Sequence, residues 1–123
     1  MLIRRMGSVP QNERGAGQVS HLLLGLPDDE YPMSITIVEA APGSQQPMHA
    51  HPVSTQVYLV TEGSGRMIVD AEEADVTRGD MVCVPPRARH AIRNTGDRAL
   101  TYVSATAPPF SARVDGSTWQ PTD

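Results

Sequence analysis

The tightest constraint on this fold is that apolar, β-branched runs come only in short pieces, each closed by a Gly, Pro, Asn or Asp turn. Ser34 to Ala40 alternates apolar and polar residues and stops at Pro42-Gly43, which is a strand followed by a turn. Gln56 to Thr61 repeats the pattern and closes at Gly63 and Gly65. Arg66 to Asp70, Ala74 to Thr77, Met81 to Val84, His90 to Arg93 and Ala99 to Ala105 follow, with charged or Gly-containing turns between them. No window keeps a helical period with caps at both ends. Strands recurring at about 8–12 residues, with turns between, give an all-β sandwich or barrel.

With 123 residues, the chain has the length of one domain. Residues 1–33 read as an N-terminal arm with the first strands, 34–107 as the barrel core and 108–123 as a tail that holds Trp119. Within the arm, Met1 to Met6 and His21 to Leu26 are the strand-like stretches. Net charge is −4, with 14 acidic and 10 basic residues. That balance argues against nucleic acid or an anionic membrane as the main partner. No apolar run approaches the ~20 residues that span a bilayer, and the start of the chain lacks the apolar core of a signal peptide. The single Cys83 excludes an internal disulfide framework. A cytoplasmic protein is the expectation.

Three of the four histidines fall in two segments that each open on a glycine and end on histidine: Gly43 to His51 and Gly79 to His90. In extended chain His49 and His51 point to the same side. His90 arrives from another strand after Pro85-Pro86. Three imidazoles aimed at one point suit a transition metal. Gln56 and Tyr58 resume a same-face series after a short turn, and the Gln56 amide oxygen makes a fourth ligand. An octahedral ion would keep one or two positions for substrate, water or dioxygen. His21 lies outside both segments and reads as a surface or strand residue.

The two segments resemble the paired motifs of the cupin family. The first, Gly, five residues, His-x-His, three or four residues, Glu, six residues, Gly, reads here Gly43, His49, His51, Gln56, Gly63. The second, Gly, five residues, Pro-x-Gly, two residues, His, three residues, Asn, reads Gly79, Pro85, Arg87, His90, Asn94. Every spacing is kept and each motif carries one substitution. The resemblance covers roughly residues 34–107 and implies a single-domain cupin, a double-stranded β-helix or jelly-roll barrel. It also implies a divalent transition metal (Zn, Fe, Mn, Ni, Co or Cu) held by His49, His51, Gln56 and His90. Arg87 in place of the turn glycine means that the turn avoids positive φ, or that Arg87 tolerates strain. Gln56 in place of the carboxylate leaves the ion near +2 where a glutamate would leave about +1, making it a stronger Lewis acid.

Related cupins with Gln at this place resemble sugar-acid enzymes and aromatic polyketide cyclases more than the oxalate-degrading branch. The leading expectation is therefore a metal-dependent isomerase, cyclase or lyase acting on a small carbonyl, enol or phenolic substrate. A quercetinase-like dioxygenase using the same site is the alternative, and a non-catalytic metal- or ligand-binding cupin is the second. Tyr58 is either a core tyrosine or a group that orients substrate or donates a proton. Arg93 and Met48 are further substrate candidates; guanidinium forks match carboxylates. No Asp or Glu falls on the inward face beside a ligand, so no general base is evident. A homodimer is expected, because small cupins tend to cover a sheet edge with a partner, and the N-terminal arm could supply the added strand.

Overall fold

The computed structural model describes residues 1–13 and 17–109; the expected tail beyond Pro109, with Trp119, lies outside the described residues. Nine strands form: β1 (Gln11–Glu13), β2 (Gln18–Leu24), β3 (Ser34–Ala40), β4 (Thr55–Glu62), β5 (Ser64–Val69), β6 (Glu72–Thr77), β7 (Met81–Val84), β8 (His90–Asn94) and β9 (Leu100–Ala107). A single 3-10 turn, Met6–Ser8, is the one helical element among the described residues. No helix there is long and apolar enough to cross a membrane. The strands make a six-stranded sheet in the order β1-β2-β3-β9-β4-β7 and a three-stranded sheet in the order β6-β5-β8. All pairings are antiparallel. This is the all-β barrel expected.

The chain passes from the large sheet to the small one between β4 and β5, at Gly63. Its φ is +82°, and a Cβ there would stand 2.5 Å from the carbonyl oxygen of Ala99, so only glycine fits the corner. Pro85 to Ala88 forms a second tight turn, closed by Ala88 N–H donating to the Pro85 carbonyl, with Arg87 at φ 72°. That is the type II position that normally demands glycine. Arg87 accepts the strain; the turn does not avoid positive φ.

Alternation along β3, β4 and β9 fills the interior, and the register sorts it by polarity. At one end Ala40 pairs with Leu100 and Val38 with Tyr102, while Val60 faces Tyr102 from the other side. With Met67, Val76 and Ile92 these form the apolar core. At the other end Thr36 pairs with Ser104, Ser34 with Thr106, and Gln56 also with Thr106. All five of these polar side chains are buried. Burying hydroxyls and amides costs free energy unless they are bonded, so this end of the barrel is built for polar company.

Two expectations about the arm change. Met1 to Met6 forms no strand; Arg4 instead clamps the segment by a bidentate pair with Asp29 at 2.7 Å and a bond to the Leu23 carbonyl at 2.8 Å. The added strand, β1, pairs with β2 of its own chain. His21 sits in β2 and contacts Glu39 at 2.8 Å.

Candidate metal centre

The loop preceding β4 runs antiparallel to β8. His49 N–H donates to the His90 carbonyl at 3.1 Å, and His90 N–H donates back to His49 at 2.8 Å. In such a reciprocal pair the two side chains share a face, and the rings lie 4.2 Å apart between centroids. His51 is fixed from the opposite side: the strained turn presents the Arg87 N–H to the His51 carbonyl at 2.7 Å. Its ring lies 5.1 Å from that of His49 and 5.4 Å from that of His90. One nitrogen from each of the three rings falls within 4.8 Å of the others. An ion bonded at about 2.1 Å holds two nitrogens no more than about 4.2 Å apart. The rings therefore stand within short rotations of ligating distance.

Protons are placed to leave the right atoms bare. Nδ1 of His49 lies 2.8 Å from the Pro47 carbonyl, and Nδ1 of His90 lies 2.9 Å from the Ala88 carbonyl. A carbonyl only accepts, so each Nδ1 carries the hydrogen and each Nε2 keeps a lone pair. Metal-ligating histidines are oriented in this way. Burial pushes the pKa of His90 down, outweighing the Ala88 carbonyl, which raises it; neighbouring His51 lowers it further and Asp70 raises it. His90 is therefore held neutral.

Gln56, buried on β4, turns its Oε1 to 2.8 Å from Nε2 of His90 while its Nε2 donates to Ser104 Oγ at 2.7 Å. Turned this way, the Gln56 amide oxygen and the His90 Nε2 lie side by side as candidate ligands, with the amide nitrogen held by the Ser104 hydroxyl. The donor set, three imidazoles and an amide oxygen, fits a borderline divalent transition ion.

A small cavity of about 30 Å³, opening to solvent, adjoins His49, His51 and Gln56. Its polar wall comes from Gln18 and Ser20 on β2, Thr36 on β3, Gln46 on the loop, and Tyr102 and Ser104 on β9. No Asp, Glu, Lys or Arg is among the described lining residues. Tyr58 is fully buried; its ring packs edge-on to His90 at 5.9 Å, and its hydroxyl donates to Gln46 Oε1 at 2.9 Å. It reaches the cavity through Gln46. Met48 is half-buried and outside the lining. Arg93 is exposed, on the face of β8 opposite His90 and Ile92. The structure thus brings His49, His51, Gln56 and His90 together with Tyr58 behind them, and leaves Met48 and Arg93 out. Sequence reasoning missed Gln18, Ser20, Thr36, Gln46, Tyr102 and Ser104. The polar alternation of Gln18 and Ser20 on β2 was the readable signal.

A β-barrel carrying a histidine triad from two glycine-led segments defines a class, and the sequence comparison gives it a family. Residues 36–106 match the cupin domain, more than half of the chain, and the protein belongs to the cupin family. It is 30% identical to protein SchB of Streptomyces halstedii over 111 residues, 87% of this chain and 80% of SchB. It is 36% identical to protein MJ1618 of Methanocaldococcus jannaschii over 69 residues, 56% of this chain. The match spans about half of MJ1618, 55% of its length. Among solved structures, one described as a predicted oxalate decarboxylase from Thermotoga maritima superposes with a TM-score of 0.78 at 18% identity, covering 87% of this chain and 99% of that one. At that identity the likeness concerns the fold.

Proposed function

We propose that the protein is a metal-dependent cupin enzyme in which His49, His51, Gln56 and His90 hold one divalent transition ion beside the cavity. The observation that carries this reading is the convergence of the three imidazoles, with the Nδ1 hydrogens of His49 and His90 tied back to carbonyls. When bound, the ion supplies Lewis acidity toward a carbonyl, enol or phenolic oxygen, undiminished by a ligand carboxylate. The chain's own residues set the rest. His90 stays neutral by burial, Ser104 orients the Gln56 amide, and Tyr58 positions Gln46 at the cavity wall. With no carboxylate in the lining, a substrate whose own C–H or O–H is acidic, such as an enolisable dicarbonyl or a phenol, suits the site best. Isomerisation, cyclisation and lyase chemistry all begin from such a species.

Two measurements test the reading. Metal-loaded protein should accelerate solvent deuterium exchange at the central carbon of acetylacetone without consuming dioxygen. Dioxygen uptake with an iron-loaded sample would instead support the oxygenase alternative, and inactivity of both would make the protein a binding module. Gln56→Glu should shift preference toward a hard ion, with Mn²⁺ binding tightened relative to Zn²⁺ by roughly tenfold or more. Unchanged preference removes Gln56 from the ligand set.

A further inference from the structure

Gln18 lies outside the matched family region and outside both glycine-led motifs, yet it is 97% buried, with 3% of its surface exposed, and it lines the cavity. Register explains how it gets there. On β2, Gln18, Ser20 and Leu22 share the inward face, and Gln18 pairs with Ala40. A residue opposite Ala40 and Leu100 would be expected to be apolar, because those neighbours belong to the hydrophobic end of the barrel. It is instead a carboxamide whose buried Nε2 has no hydrogen-bond partner among the described protein groups. Buried polar groups without partners are rare, and each calls for an explanation.

We propose that Gln18 is a specificity-determining residue whose carboxamide donates a hydrogen bond to an uncharged oxygen, a hydroxyl or carbonyl, of the substrate bound in this cavity. The inference rests on the metal reading above and adds to it the class of the substrate's far end. That end is neutral and oxygenated. The cavity wall offers hydroxyls and carboxamides, with no guanidinium or ammonium to balance a carboxylate or phosphate and no carboxylate to hold an amine. A buried amide donor in the pocket wall discriminates against an analogue lacking the matching oxygen, because the N–H then loses that acceptor.

Two pyranone chelators differing by one hydroxyl provide the test: kojic acid, with a hydroxymethyl arm, and allomaltol, with a methyl in its place. Each is titrated into the cobalt(II)-loaded protein and followed by visible absorption. The wild type should bind kojic acid more tightly than allomaltol by roughly five- to tenfold, the worth of one neutral hydrogen bond. Gln18→Met, of similar length and without a donor, should erase that difference while leaving cobalt binding unchanged. Removal of an unsatisfied donor should also raise the Tm of the ligand-free protein, by roughly 2–6 °C. Equal preference in wild type and variant, or a Gln18→Met protein that melts lower or fails to fold, overturns the proposal and makes Gln18 a structural residue. Failure of cobalt(II) to bind the wild type would overturn the metal reading instead, and the inference with it.

Discussion

Arg87 shows how a single side chain can stand where the backbone asks for none. Its φ of 72° lies in the left-handed region, which costs an ordinary L-residue about 1–2 kcal/mol. Glycine avoids that cost but adds about 0.5–1 kcal/mol of chain entropy to the unfolded state. The side chain is exposed, so nothing in the core depends on it. Arg87→Gly should therefore stabilise the protein by about 0.5–1 kcal/mol in chemical denaturation; a loss of stability would mean that the Arg87 side chain contributes something the backbone account omits. The strain has a local use, since the same turn aims the Arg87 N–H at the His51 carbonyl and so fixes a candidate ligand. Asn94 does comparable work at the far end of β8: its Nδ2 donates to the carbonyls of Ala40 and Arg98, and its Oδ1 accepts from Gly96 N–H. The second glycine-led motif thus fixes His51 through Arg87 and anchors the end of β8, the strand of His90, through Asn94.

At the scale of elements, strand runs were legible because period-two alternation and turn residues act locally. Ser34 to Ala40 appears with the bounds expected, and the acidic run from Asp70 to Asp75 turns β5 into β6, with Arg66 paired to Glu73 and Asp75. The histidines were legible because their spacing follows from the same alternation. The cavity wall was not, because it depends on which strands become neighbours: Gln18 and Ser20 reach the site only through the pairing of β2 with β3. The arm was misread for a similar reason, since its anchor is Asp29, far along the chain. That carboxylate accepts from Arg4 and from the Gly25 and Leu26 N–H groups. The Arg4 hydrogen bond foremost, aided by those two amides, holds its pKa well below the ordinary carboxylate value, against the opposing effect of desolvation. A depressed carboxylate pKa stabilises the fold above the unfolded pKa, and that contribution drains away as pH falls through about 4 toward the folded value. Protection of the Gly25 and Leu26 amides in hydrogen exchange, corrected for intrinsic rates, should hold from neutral pH to about 4.5 and decline below that. Asp29→Asn should lack this decline; the same profile in both proteins would disconnect the arm from Asp29.

For the molecule as a whole, the two faces of the large sheet have opposite fates. Its inner face closes over the core and the polar cavity. Its outer face carries two apolar rows, Ile37-Val103-Leu59-Met81 and Ile35-Ala105-Val57-Cys83, read directly from the strand registers. Leu59 and Met81 are 41% and 59% exposed. A contiguous apolar sheet face of this kind is what partners cover; a homodimer, expected from the sequence at a sheet edge, would bury it here instead. Leu59→Arg should convert a dimer to a monomer in sedimentation velocity; a wild type that is monomeric at micromolar concentration would rule the dimer out. Everything proposed for the cavity, however, depends on the metal. The most direct measurement is cobalt(II) titration with elemental analysis of the purified protein, beside His51→Ala, which removes a ligand while sparing the fully buried His90. The account predicts one divalent ion per chain, with binding weakened roughly a hundredfold or more in the variant. No bound ion after refolding with excess cobalt, or equal binding by the variant, would contradict it.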